Sequence, residues 1–212
     1  MIQAEVPALS RSEWIVLSLV CEGPTHGSAV SGLVGPDGDL GQIWRVPRGV
    51  VYRSLDRLSE LGLIRSAGEE PSRQGPVRLL VEATEAGQAA AVSWQHRPVQ
   101  HTRDIRSELL VKLALLHRSG ADPHDLLVAQ HGLLVPIASA LRDRIATATG
   151  FDRTLLLWRY ETASAAVSFL DDLVLTRPNH QPVRSHPLDD CLRSVLTQLG
   201  PPRLFRTGLA IA

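Results

Sequence analysis

The apolar positions of the first 87 residues recur at helical spacing in three segments and then occupy two shorter, strand-like runs. A capping box, Ser10 with Glu13, opens the first helix, and His26 is expected to cap or orient the second. Pro47 suits the first turn of the third helix, where its missing N–H costs nothing, and Gly62 ends that helix. The predicted helices cover about residues 10–22, 25–34 and 47–61, and the predicted strands begin at Leu63 and Val77 around a hairpin loop over 67–76.

This order of elements predicts a winged helix-turn-helix, a module that places one recognition helix in the major groove of DNA. At about 100° per residue, Val51, Leu55 and Leu58 share one face of the third helix, so we expect this face to pack on the core. Arginines stand early in the helix and acids late, a polarity that suits contact between its N-terminal part and base edges. The far face and the flanks hold Arg48, Val50, Tyr52, Arg53, Asp56, Arg57 and Glu60.

The candidate DNA contacts come from this helix and from the hairpin that follows it. Arginine suits bidentate contacts to guanine and phosphate, whereas the alternative interpretation is an ordinary solvated helix face. Two acids of the hairpin, Glu69 and Glu70, oppose a contact between the hairpin and DNA. The residues expected to carry binding are Arg48, Tyr52, Arg53 and Arg57, with Val50 against a thymine methyl or in packing, and with Arg45, Arg73 and Arg78 on the DNA backbone.

Beyond Pro98 the chain holds three further amphipathic segments. Three such helices cannot enclose a core alone, so we expect their apolar stripes to close against a second copy of the chain. Pro136 lies inside the middle segment and is expected to kink it. The predicted fold is mainly α, with a winged helix-turn-helix DNA-binding domain over residues 9–95, an α-helical dimerisation domain over 98–177, and a tail over 178–212 that holds a candidate short helix at 188–199.

The net charge of the chain limits the ways in which it could bind nucleic acid. The 212 residues carry no net charge, and residues 1–87 hold 8 Arg against 11 Asp and Glu, a net charge of −3. DNA affinity must therefore come from the local placement of arginines. With no leader segment, no membrane-length apolar run and two distant cysteines, we expect a reduced, cytoplasmic protein without membrane contact. No catalytic, phosphate-binding or zinc-binding motif is evident, so we expect no enzymatic activity, cofactor or metal.

Five stretches of the chain, in order, resemble one known family. They lie at residues 9–27, 51–64, 84–87, 108–113 and 158–173, and the likeness covers roughly residues 9–176. The first three resemble the winged helix of PadR-family transcriptional regulators, and the last two resemble the long-form C-terminal dimerisation region of that family. The resemblance implies a homodimer that binds a double-stranded DNA operator, usually as a repressor, and is released by a small ligand or a stress signal.

Other residues are candidates for binding an effector or support alternative functions. Trp94 and Trp158 are candidates for lining an aromatic effector pocket at the dimer centre, as in multidrug-binding relatives, with core packing as the alternative. The negative charge of residues 1–87 favours a second hypothesis, a winged-helix protein-interaction or ligand-sequestering module without DNA binding. A metal-responsive sensor comes third, because one helix places metal ligands four residues apart whereas the candidate ligands recur every seven, at His117, His124 and His131.

Overall fold

The computed structural model describes residues 8–71 and 77–175, which belong to a unit that extends to Leu175. The predicted tail, with its candidate helix at 188–199, lies outside the described residues. In chain order the elements are α1 (Arg11–Val20), α2 (Gly27–Leu33), α3 (Arg48–Glu60), β1 (Ile64–Glu70), β2 (Arg78–Ala83), α4 (Glu85–Gln95), a 3₁₀ turn (Thr102–Asp104), a π-helical turn (Ile105–Leu109), α5 (Leu110–Ser119), α6 (His124–Ile145) and α7 (Gly150–Leu175).

Side chains cap three of the helix starts. The backbone N–H of Glu13 donates to the hydroxyl of Ser10, and the backbone N–H of Ser10 donates to the carboxylate of Glu13, so the predicted capping box is confirmed. At α2 the backbone N–H of Ala29 donates to Nδ1 of His26, which confirms the capping role predicted for that histidine. Thr84 caps α4 in the same way. These bonds satisfy amides that a helix start would otherwise leave unpaired.

The hairpin differs from the prediction in its length. β1 and β2 pair antiparallel, and β1 continues through residues that the apolar pattern assigns to a loop over 67–76. Polar residues hide this strand from the pattern, and a bulge between Ser66 and Gly68, where Gly68 has φ 108°, lets the pairing continue. Thr25 also exchanges two backbone hydrogen bonds with Val81, at 2.9 and 2.8 Å. That extended pairing is why α2 begins later than predicted.

Two hydrophobic cores share α5. The first fills the space among α1 to α4 and the hairpin, and it includes Val111 and Leu115 from α5. The second lies among α5, α6 and α7, and it includes Leu116. The domain limits at residues 95 and 98 stay predictions, since α5 follows them and packs into both cores.

The described architecture confirms the predicted fold class: a winged helix-turn-helix followed by a C-terminal helical region. α6 and α7 pack along each other, and α6 continues as one helix past Pro136. In the part of the chain that the structure describes, no helix combines the length and the apolar character needed to cross a bilayer.

Candidate nucleic-acid interface

The third helix has the two faces that its sequence predicts. Val51, Ser54, Leu55 and Leu58 are buried, and they hold α3 against the first core. Pro47 precedes the helix in an extended conformation and caps its start, rather than forming the first helical residue. The face away from the core is left to solvent. Its exposed residues are Arg48, Gly49, Tyr52, Arg53, Asp56, Arg57, Ser59 and Glu60.

Arg48 and Tyr52 form one unit on the N-terminal half of α3. The Arg48 guanidinium lies 5.6 Å from the centre of the Tyr52 ring, and its Nη2 donates to the Tyr52 hydroxyl at 3.5 Å. The ring in turn lies over Gly27 of α2, where an added Cβ would stand 2.7 Å from Cε1 of the tyrosine. Gly27 thus lets α2 and α3 approach closely, and it supports the tyrosine from behind. The sequence flagged Gly27 only as part of a family stretch, because a close contact across two helices leaves no local pattern.

The remaining arginines of this face differ in their partners. Arg57 pairs with Glu60 of the same helix at 3.3 Å. Arg45 and Arg53 are exposed, and neither makes an ion pair or a hydrogen bond with any residue that the structure describes. A free guanidinium can take two acceptors at once, from a phosphate or from a guanine edge. Arg45 and Arg53 are therefore the groups most available to a ligand.

Val50 sits differently from the other candidates. It is half-buried and packs against the first core, so packing accounts for part of its surface. Its predicted contact with a thymine methyl stays a prediction.

In the hairpin, Arg78 already has partners. Its Nη1 lies 3.9 Å from Glu70 and 3.4 Å from Nε2 of His26, and the His26 ring lies 3.7 Å from the same carboxylate. His26 therefore contacts the hairpin through one ring nitrogen while it caps α2 through the other. Sequence reasoning found only the capping role, because Glu70 lies far along the chain. Arg73 lies outside the described residues.

The two tryptophans predicted at an effector pocket lie in different surroundings. Trp94 is 5% exposed and stacks on Trp14 with ring centroids 5.6 Å apart, inside the first core. Trp158 is 71% exposed on α7. Within one chain the structure does not bring their side chains into one cavity, and a pocket formed at a dimer centre stays a prediction.

Another cavity was not expected from the sequence. It has a volume of about 280 Å³ and lies between the turns before α5 and one side of α7. The only charged side chain of its lining is that of Arg106, and the other lining residues are apolar or threonine. Such a lining suits a small, mainly apolar molecule. The residues around it are Thr102, Ile105, Arg106, Leu110, Thr162, Ala166 and Phe169.

The histidines of the metal-sensor hypothesis do not gather. Among the described residues, no group of three or more His, Cys, Asp or Glu side chains is placed to hold a metal ion. Nε2 of His131 instead lies 2.9 Å from Asp171, in a pair between α6 and α7.

One family model matches part of this chain. Residues 16–92 match the model of the transcriptional regulator PadR-like family, which confirms the resemblance of the winged helix to that family. No curated protein sequence matches this chain.

Several solved structures are similar to the chain. PadR of Bacillus subtilis in complex with operator DNA is 20% identical with a TM-score of 0.39, covering 76% of this chain and 97% of that chain. The same protein in complex with p-coumaric acid is 18% identical with a TM-score of 0.35, covering 77% and 93%. The smu.1604c protein of Streptococcus mutans UA159 is 14% identical with a TM-score of 0.37, covering 77% and 98%.

Proposed function

Because residues 16–92 belong to the PadR-like family of transcriptional regulators, we propose that this chain binds a double-stranded DNA operator as a homodimer and represses transcription. Each α3 enters a major groove, and the pairing of two copies sets the distance between the half-sites. Arg48, Tyr52, Arg53 and Arg57 carry the contacts, while Arg45 and the hairpin arginines lie on phosphates.

The observation that carries this proposal is the exposed arginine face of α3. Four arginines lie in or just before the helix, against two acids, and two of them have no partner among the described residues. A solvated helix face ordinarily mixes charges in pairs, whereas an excess of arginines on and just before a recognition helix, with Arg45 and Arg53 unpaired among the described residues, suits an anionic groove. The charged residues of this segment are Arg45, Arg48, Arg53, Asp56, Arg57 and Glu60.

A salt-titrated binding assay tests the proposal on DNA taken from upstream of the protein's own coding region. For the wild type we expect a footprinted site whose affinity falls steeply as salt rises. Arg53→Ala should weaken that site by about 1–3 kcal/mol and relax its sequence preference if the arginine reads a base. Uniform weakening on all sequences, with a salt slope smaller by about 1, would identify a phosphate contact instead.

Arg103→Ala is the matched control, because it removes the same charge from an exposed residue of the 3₁₀ turn. We expect it to leave both affinity and salt slope unchanged. Absence of binding at low salt would refute the DNA-binding proposal. That result would favour the interaction or sequestering module, which the net charge of −3 on residues 1–87 and the pairing of Arg78 with Glu70 also support.

The homodimer rests on the apolar surface of α6 and α7. A monomer seldom exposes so many large apolar side chains on neighbouring helices without covering them in an assembly. We therefore propose that α6 and α7 of two copies pack on each other. The exposed large apolar residues of these helices are Val128, Leu133, Val135, Ile137, Phe151, Leu157, Trp158 and Leu173.

Relief of repression by a small molecule is supported by the cavity that Arg106 and Phe169 line. An effector of this kind biases one dimer geometry over another and so changes the distance between the recognition helices. A panel of small aromatic carboxylates, added to the protein–DNA complex, tests it. We expect at least one to release the DNA, and Arg106→Ala to reduce that release; release unaffected by Arg106→Ala would place the effector elsewhere.

A further inference from the structure

The segment that joins α4 to the C-terminal helices, residues 96–101, is held by two buried polar side chains. The first is Lys112 of α5, which is 1% exposed and donates from Nζ to the backbone oxygen of Arg97 at 2.8 Å. The second is Gln130 of α6, which is 0% exposed. Its Oε1 accepts from the backbone N–H of Val99 at 2.7 Å, and its Nε2 donates to the backbone oxygen of Val99 at 3.0 Å. This connector is therefore fixed at two backbone positions.

The ammonium group of Lys112 contacts three different partners. Besides the Arg97 oxygen, its Nζ lies 2.8 Å from Oε1 of Glu108 and 4.7 Å from the centre of the Trp94 ring. It is also the single lysine of the chain, since the other 21 of the 22 basic residues are arginines. A compact ammonium fits this enclosed position, whereas a planar guanidinium has five donors and needs more room.

The same charges reach α1. Arg11 lies 3.6 Å from Glu108 and 2.9 Å from Asp104, so it links the start of α1 to the π-helical turn before α5. Its guanidinium also stacks over the Trp44 ring at 4.6 Å. Trp44 directly precedes Arg45, in the turn that leads into α3. A continuous set of contacts thus runs from α5 to the entrance of the recognition helix.

The buried polar contacts of Lys112 and Gln130 restrict how the elements are oriented more than they add to the free energy of unfolding. Apolar packing on α5 is non-directional and would tolerate sliding, whereas these hydrogen bonds hold only at defined angles. A buried ion pair gains little net stability over an apolar pair of the same shape, and here burial lowers the pKa of Lys112 while Glu108 acts to raise it. A second polar tie between α5 and the winged helix is the bidentate pair of Arg118 with Glu22, at 2.8 and 2.7 Å. It is partly exposed, so water and salt screen it more than they screen the Lys112 contacts.

We propose that Lys112 and Gln130 are positioning residues that fix the connector over residues 96–101 and so set the orientation of the winged helix on the C-terminal helices. The consequence for DNA, a fixed half-site spacing, rests on the proposed function.

Pulsed electron–electron double resonance measures the distance between two spin labels in one chain, and so reports the orientation of the winged helix on the C-terminal helices without DNA. The labels are attached at Ser59→Cys on α3 and Asp143→Cys on α6, both exposed positions, in full-length protein that carries Cys21→Ser and Cys191→Ser. Labelled protein is diluted with unlabelled protein so that each measured distance lies within one chain. The test variants are Lys112→Met and Gln130→Met, which keep the side-chain length and remove the polar contacts.

We expect each variant to shift the label distance by about 2 Å or more, or to broaden its distribution, on the scale of helix displacements at packed interfaces. Arg65→Met is the control, because it breaks an ion pair of 2.8 Å to Glu82 within the hairpin and touches neither connector nor α5. It should leave the distribution unchanged. A purely structural role would lower the melting temperature and leave the distance as in the wild type, and that result would overturn the proposal.

If either methionine variant fails to fold, Glu108→Gln is measured in its place. This variant should fold, because Glu108 is partly exposed and the glutamine keeps an acceptor for Lys112 while it removes the charge. A distance equal to that of the wild type in Glu108→Gln and in every folded methionine variant overturns the proposal. Loss of DNA binding by the wild type would refute the proposed function and leave the distance result valid, so the two failures are distinguishable.

Discussion

The winged helix buries large aromatic side chains that the α6–α7 pair leaves exposed. In the winged helix, Trp14 and Trp94 stack inside a core where both are less than a tenth exposed. On α7, Phe151 and Trp158 are 78% and 71% exposed. The first region closes its core with its own elements and α5, whereas the second has an apolar surface that no other described residue covers. The difference teaches that the winged helix, with α5, encloses its large aromatic side chains within a single chain, whereas the apolar surface of α6 and α7 is the one that the proposed dimer covers.

The largest expected effect comes from opening the closed core. Trp94→Ala removes a buried indole from the stack with Trp14, so we expect the free energy of unfolding to fall by about 3–5 kcal/mol. Val92→Ala is the control, because Val92 lies on the same helix and is 55% exposed. Urea denaturation followed by circular dichroism measures both. Equal losses in the two variants would contradict the closed core.

Burial in this region also protects a thiol. Burial, and to a lesser degree Glu22, raise the pKa of Cys21 from 9.0 to about 11. At pH 8 the folded protein then holds about 100-fold less thiolate at this position than the unfolded chain, and iodoacetamide should react more slowly in proportion. The rate is compared in Cys191→Ser protein, folded and in urea. Equal rates would show that the thiol is accessible.

The same thiol gives a pH dependence of stability. Because the folded state holds the proton more tightly, it binds more protons than the unfolded state between pH 9 and about 11. The contribution of Cys21 to the free energy of unfolding should therefore fall as pH rises through this window. Cys21→Ser removes that part of the decline, which urea denaturation at pH 8 and pH 10.5 detects.

A substitution on the exposed apolar surface of α7 should weaken the association of two chains. Trp158→Ser removes a large exposed anchor, and we expect the dimer dissociation constant to rise about 30-fold, which corresponds to about 2 kcal/mol. Sedimentation velocity over a concentration series measures it. Val92→Ser, the same kind of change on the winged helix, should leave the dimer intact. A dimer unaffected by Trp158→Ser would mean that this part of α7 faces solvent in the assembly.

The smallest effect concerns the support that Gly27 gives to Tyr52 on the proposed DNA-binding face of α3. An alanine at Gly27 would displace the Tyr52 ring, whose nearest atom would lie 2.7 Å from the new Cβ. The new Cβ would also stand 3.2 Å from Cδ1 of Leu55, but both neighbours are side chains, which yield more easily than backbone. We therefore expect a loss of about 1 kcal/mol in DNA affinity, roughly fivefold, and a smaller loss of stability. Gly32→Ala, also on α2, meets no atom within 4 Å and serves as the control. Equal affinities for Gly27→Ala and wild type would remove Tyr52 from the interface.

Much of the winged helix follows from short-range pattern. The spacing of Val51, Leu55 and Leu58 predicts the buried face of α3, and Ser10 with Glu13 predicts the start of α1, because both depend on residues within a turn or two. The hairpin was predicted too short, since the end of β1 is polar and is held by pairing with β2. Backbone pairing with a distant strand leaves little signal in the strand itself.

The sequence by itself determined the order of helices in the winged helix, the side chains that cap α1 and α2, and the exposed arginine face of α3, since local spacing and capping decide these properties. Tertiary structure alone decided that Trp94 is enclosed while Trp158 is open, that Gly27 supports Tyr52, and that Lys112 and Gln130 hold the connector. Each of these depends on which surfaces meet after the chain has folded. Contacts between residues so far apart along the chain are set by packing, and the order of residues does not display them.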